Sequence, residues 1–332
     1  MTESAGALSR LSKATGVEFK ELLAARRRTD AGLASRRAAL ESLRLGPDVA
    51  VVLMGSWGRR ELTLGSDDDF LVLTGGSLPS ASAPLLAQVR TVLGAGERAP
   101  GPEGIFNTVV PATTLVEEIG LERDTNQNLT RRLLLLLESI AAVGESVRDQ
   151  AVTNVLERYL EAVPSFRPPR FLLNDVIRYW RTIGVDFEAK DRDRAGKGWG
   201  LRNAKLRNSR KLLFAGGLLP VLECYRYAQE DMIGFLRMQF AASPTDRLAD
   251  AFLRHAELDA GARALGAYDR FVGALNDEDF RAGLGSLTRT AAESAEEYLH
   301  AKALGREFHA GLLALLFDNP ELAPLMREFA VL

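Results

Sequence analysis

Residues 55–70 read GSWGRRELTLGSDDDF, and the rest of the chain is placed by them. They follow VAVVLM (Val49–Met54), a short β-branched run after the break at Gly46-Pro47, and lead into DFLVLT (residues 69–74), which stops at Gly75-Gly76. Both flanking runs have the length and composition of buried strands. Side chains alternate along an extended segment, so Asp67 and Asp69 point to one side and Asp68 to the other. Two carboxylates on one side are hard oxygen donors suited to Mg²⁺ (or Mn²⁺), and two-metal sites use such pairs for in-line phosphoryl displacement. Gly55 lets the backbone approach a phosphate closely, and the turn amides together with the Ser56 hydroxyl can donate to phosphate oxygens.

Upstream, residues 16–45 carry Phe19, Leu22, Leu23, Leu33, Leu40 and Leu43 at mostly helical spacing, with Arg26, Arg27 and Arg28 on a solvated face. Downstream, 82–93 reads as a helix and IFNTVV (105–110) as a third strand between a Gly/Pro-rich loop and Pro111. After Pro111 the period stays near that of a helix, with helices predicted over 113–120, 127–143, 146–162, 171–187, 200–214, 217–241, 245–275 and 287–316. The run Leu133 to Leu137 is apolar all round, as in a helix at the centre of a bundle or between two halves of a protein.

The Gly-Ser turn, the Gly-Arg-x-Glu-Leu step (Gly58, Arg59, Glu61, Leu62) and Ser66-Asp67-x-Asp69 resemble the catalytic segment of the DNA polymerase β-like nucleotidyltransferases. The nearer resemblance is to the PII uridylyltransferases, the glutamine synthetase adenylyltransferases and their bacterial relatives. It covers about 16 residues, the span quoted above. A capped turn followed by a solvated acidic loop is the plainer reading. The family positions, in register between two strands, weigh against it.

The resemblance implies an α+β protein: a small mixed β-sheet nucleotidyltransferase domain over 46–125, an N-terminal helical segment 1–45 packing on it, and a mostly α-helical substrate-binding domain over 126–332. It further implies transfer of an NMP group from an NTP to the hydroxyl of a protein or a tRNA-like RNA, in a toxin-like or regulatory setting. Asp67 and Asp69 would be the catalytic metal ligands, and Gly55, Ser56 and Arg59 would face the nucleotide. Arg59 has an alternative, pairing with Glu61 to hold the turn. Asp68 and Arg60 lie at variable positions and are expected to be dispensable.

Family members carry a third carboxylate on a later strand. Here IFNTVV presents Asn107 instead, which leaves Glu103 and Asp124 as candidates for the third ligand. Loss of that acid removes a charge and a general base, so the alternative is a catalytically degenerate nucleotide-sensing or nucleic-acid-binding regulatory protein.

The densest charge cluster lies between Lys190 and Lys211, nine basic residues against Asp191 and Asp193, and an anion is its natural partner. In the family's arrangement a helical domain closes over the nucleotide and binds the acceptor. Arg178 and Lys205 are therefore expected at the nucleotide, and Arg181, Lys197, Arg202, Arg207 and Arg210 at the acceptor. Trp180 and Trp199 read as packing residues.

Composition excludes several classes. With 42 Lys+Arg against 44 Asp+Glu, the global charge names no partner. A single cysteine, Cys224, rules out an internal disulfide and any cysteine-built zinc site. Three scattered histidines and the lack of Walker, kinase, zincin or GxSxG motifs argue against those chemistries. With no signal-like start and no apolar run of about 18 residues, a cytoplasmic protein with no membrane contact is expected.

Overall fold

A computed structural model describes residues 6–76, 82–93 and 104–331. In chain order, helices α1 (Ala7–Thr15) and α2 (Lys20–Glu41) precede strand β1 (Val49–Met54). Then come β2 (Phe70–Thr74), α3 (Ser82–Leu93), β3 (Thr108–Pro111), α4 (Ala112–Glu117), α5 (Asn126–Leu137), β4 (Ser139–Val143) and α6 (Glu145–Leu160). The described remainder is helical: α7 (Arg170–Asp193), α8 (Trp199–Lys205), α9 (Lys211–Glu223), α10 (Gln229–Ala241), α11 (Pro244–Arg254), α12 (Leu258–Asn276), α13 (Glu278–Ser286), α14 (Arg289–Ala292), α15 (Glu296–Leu313) and α16 (Leu322–Leu325). A π-helical turn, Leu206–Arg210, joins α8 to α9. The protein is mixed α/β and mostly helical, with one small mixed sheet.

The strand order is β3-β2-β1-β4. β1 runs antiparallel to β2, with Leu53 opposite Phe70, and antiparallel to β4, with Met54 opposite Ser139. β3 runs parallel to β2, Leu71 beside Thr108. One sheet face, carrying Val51, Leu53, Phe70 and Val72, packs on Leu33 and Leu40 of α2 and on Val89 and Leu93 of α3. Helix α6 packs against β1, β2 and β4. Because the sheet is covered, β1 and β2 are almost wholly buried, which is why their sequences are apolar without interruption. Each such Val, Leu or Phe contributes about 1.5–3 kcal/mol by leaving water.

The helix expected over 127–143 is instead a helix and a strand. Leu133 to Leu137 are all buried, so helical periodicity cannot mark where α5 stops. The backbone leaves the helix at Glu138 (φ −147°) and β4 begins at Ser139. The third strand starts at Thr108 rather than 105, because Asn107 takes a left-handed conformation (φ 59°). The predicted helices 217–241 and 245–275 each break, the second at Ala256 (φ 57°). Helix α1 is an addition to the expected elements.

The chain divides into a sheet unit, Ala25–Phe166 with Tyr227–Ala241, and a helical unit made of the residues up to Ala24, Arg167–Arg226 and Ala242 onward. These limits differ from the boundaries expected at 45 and 125. β4, α5 and α6 complete the sheet unit, while α1 packs on α11 and α12 of the helical unit.

Candidate active site

The register of the sheet builds one edge. β1 ends where β2 begins, since Leu53 lies opposite Phe70, and the Met54 amide donates to the Asp69 carbonyl at 2.8 Å. The start of β4 lies beside Met54, and the start of β3 lies beside Phe70, whose carbonyl accepts from the Asn107 amide at 2.7 Å. Gly55-Ser56, Asp67 to Asp69, Asn107 and Glu138-Ser139 therefore meet at the same end of four strands.

After β1 the chain turns tightly. The Arg59 amide donates to Gly55 O at 3.0 Å and the Glu61 amide to Ser56 O at 2.8 Å. The amides of Ser56, Trp57 and Gly58 donate to no described residue. Gly55 is left-handed (φ 67°), and a Cβ there would stand 3.2 Å from Asp69 Oδ2. The two halves of the motif are thus in contact through a glycine and a carboxylate.

The three aspartates sit in different surroundings. Asp68 is buried on the α2 side of the sheet, accepting from Trp57 Nε1 at 3.0 Å and pairing with Arg36 of α2 at 2.6 Å. Asp67 is exposed and Asp69 half-buried. The expectation that Asp68 is dispensable is corrected: it pins Trp57 and α2 to the motif. Thr29 and Arg28 of α2 add bonds to Leu62, at 3.2 Å to its amide and 2.9 Å to its carbonyl. Ser66 closes the turn before Asp67, its hydroxyl accepting from the Thr63 amide at 3.0 Å.

Arg59 is buried between two carboxylates, Glu61 at 3.0 Å and Glu138. Of its two expected roles, the structure displays the pairing that holds the turn. Glu138 is absent from the expected site because the periodicity buries it inside a continuous helix. Reading SIAAV before Gly144 as a strand would place Glu138 at its start. Arg148 is absent from the expected site as well. From the first turn of α6 its guanidinium donates to Ser139 Oγ at 3.1 and 3.2 Å, which brings a cation to the strand ends.

Of the candidates for the third ligand, Glu103 lies outside the described residues. Asp124 is engaged elsewhere, since both its oxygens accept from the buried Arg132, at 2.7 and 3.1 Å. Asn107 occupies the β3 position next to Phe70, and its side chain and carbonyl accept from Arg90 of α3 at 2.7 and 3.0 Å. Asparagine tolerates left-handed backbone better than most residues, which accounts for its place there. Among the described residues, no group of three His, Cys, Asp or Glu side chains is arranged to hold a metal ion.

The basic residues expected to bind substrate belong to the helical unit. Asn174, Arg178 and Arg181 form an exposed stripe on α7, and Val185 farther along the helix is 68% exposed. Lys197 and Lys205 are exposed. Arg202 pairs with Asp191 at 3.0 Å, and Arg207 donates to Asn203 at 2.7 Å. Arg210 follows at the end of the π-helical turn. Trp180 stacks on Phe214 at 5.2 Å, and Trp199 packs on Tyr298 at 5.3 Å, so both are packing residues. Cys224 is fully buried, and its burial pushes the thiol well above its ordinary range. Among the described residues, no helix is long and apolar enough to cross a membrane. No family model, no curated protein and no solved structure matches the chain.

Proposed function

We propose that the chain is a nucleotidyltransferase of the polymerase β-like kind. It joins the α-phosphorus of an NTP to an acceptor hydroxyl and releases pyrophosphate. One observation carries the reading: the antiparallel register sets the Gly55-Ser56 turn, with its uncommitted amides, against the Asp69 carboxylate at the end of the sheet. Sequence alone supplies the residues of that motif, and the register supplies their contact.

The donor chemistry fits Mg²⁺ or Mn²⁺. Magnesium is commonly held by one or two carboxylates, with substrate phosphates and water completing its shell. Asp67 and Asp69 would hold it, and when bound it would neutralise charge that builds on the reacting phosphate. The turn amides and Ser56 hold the phosphate tail by donating to its oxygens, a role that Gly55 permits by keeping the approach open. Arg148, paired with Asp149 at 2.8 Å, reaches the same edge. Asn107, bound to Arg90, cannot take the hydroxyl proton, which passes to water instead. Turnover is accordingly slow. The acceptor is a protein or tRNA-like RNA hydroxyl, and Arg181, Lys197 and Arg202 of the helical unit are its candidate contacts.

A second reading, a nucleotide-sensing protein without turnover, is favoured by the same Asn107. The two separate when purified protein is incubated with each α-labelled NTP, Mg²⁺ or Mn²⁺ and cell lysate. The enzyme makes label acid-insoluble, and an Asp67→Ala, Asp69→Ala double variant abolishes it. Label retained by that variant sinks the catalytic reading. Metal-dependent NTP binding without incorporation selects the sensor.

A further inference from the structure

Within the helical unit, α7, α8, α14 and α15 surround a cavity of about 240 Å³. Its walls combine three kinds of group. Phe187, Trp199 and Tyr298 supply aromatic surface. Arg207, Arg289 and Lys302 supply positive charge, and none of them forms an ion pair with a described residue. Glu188 and Glu293 supply two carboxylates, also unpaired among the described residues.

Several arginines elsewhere, Arg36, Arg59, Arg132, Arg202, Arg254 and Arg270, each hold a carboxylate. The three cations of this wall do not. Its deepest polar group, Asn203, is buried, and its Oδ1 accepts from both Arg207 Nε (2.7 Å) and Tyr298 Oη (2.8 Å). The Asn203 amide nitrogen donates to no described residue. A carboxamide fixed by two donors in a cavity wall, beside cations that form no ion pair with a described residue, is the kind of polar lining that ligand sites have.

The positive charge continues past Arg207. Lys211, one turn on, is pushed down to about 8 by burial and then by Arg207, and His309 is pushed down by burial and by Lys211. Like charges that depress one another are relieved by a bound anion. The π-helical turn Leu206–Arg210 supports the arrangement, because the wider turn holds Arg207 and the buried Asn208 against Gly305 of α15. Such insertions recur at functional sites.

We infer that this cavity binds a mononucleotide. The phosphate lies on Arg207, Arg289 and Lys302, the base lies against the aromatic wall, and Glu188 and Glu293 accept from ribose hydroxyls or an exocyclic amine. The volume lies just below the usual range of ligand sites, about 300–1,000 Å³, so it takes no more than a single nucleotide, part of which stays in solvent, and excludes a polynucleotide. The site is independent of the sheet edge and stands whether or not the chain is a nucleotidyltransferase.

The test uses the full chain carrying Asp67→Asn and Asp69→Asn, in EDTA, so that the sheet edge cannot contribute a metal-dependent signal. Calorimetry with AMP, adenosine and inorganic phosphate separates the parts of the ligand. We expect saturable AMP binding, at least tenfold weaker binding of adenosine and of phosphate, and at least a tenfold loss for AMP in an Arg289→Ala, Lys302→Ala variant. Arg192→Ala, Arg194→Ala, which removes exposed charge from the same basic segment outside the cavity, leaves AMP binding unchanged. Absence of AMP binding overturns the inference. So does phosphate binding as tightly as AMP, or equal losses in the two variants, which would mean diffuse charge. RNA binding that depends on Arg289 and Lys302 in the absence of AMP binding assigns the surface to nucleic acid and overturns it too.

Discussion

Three adjacent aspartates have three different environments, and only one of them is structural. Asp68 satisfies the Trp57 indole and Arg36 at once, so Asp68→Ala leaves a buried donor and a cation without a partner. Its expected cost is about 1–3 kcal/mol in urea denaturation. Asp67→Ala, at an exposed position, stays within about 0.5 kcal/mol of the parent while removing one of the two carboxylates proposed to hold a metal. The two variants thus separate folding from function within two residues. Lys211 gives a second prediction at this scale. It titrates at about 8 in the folded protein, against an ordinary value of 10.5. Between those pH values the unfolded chain holds the extra proton, so stability rises as pH increases through that window. Lys211→Met removes this rise, which denaturation curves at pH 7.5 and 10 would register. If the parent and the variant gained stability equally, the burial assigned to Lys211 would be wrong.

The turn that follows β1 is set by sterics as much as by hydrogen bonds. A Cβ at Gly58 would stand 2.0 Å from the carbonyl of Glu138, where backbone meets backbone and no side chain can move aside. Gly58→Ala is therefore expected to cost roughly 3 kcal/mol, read as a lowered Tm and a weakened Arg59–Glu138 contact. Unchanged stability would show that β4 does not close on this turn. The same contact explains what is legible in the sequence. β1, β2 and the motif between them can be read because glycines bound two short apolar runs rich in branched side chains. Alternation alone predicts that Asp68 points away from its two neighbours. β4 cannot be read: five buried leucines precede it, and a segment apolar on every side carries no period by which helix and strand can be told apart. Glu138 is hidden with it. Asn107 stands out as a departure from the family pattern, but its bond to Arg90 depends on a helix and strand separated by a loop, which local sequence does not encode.

At the scale of the molecule, the sheet unit needs more chain than its motif suggests. A fragment of residues 46–125 would lack β4, Glu138 and the α2 residue Arg36, and is expected to show the narrow amide dispersion of an unfolded chain in NMR. A folded spectrum from it would contradict the division of the chain into these two units. The two units also interleave: the chain passes between them after residues 24, 166, 226 and 241. During synthesis from the ribosome, the sheet unit has all of its parts once α10 has emerged. Helix α1 precedes the sheet unit in the chain and packs on α11 and α12, which follow it. During synthesis α1 therefore waits for the whole sheet unit before its packing partners appear, and a chaperone that shields its apolar face would be of most use in that interval.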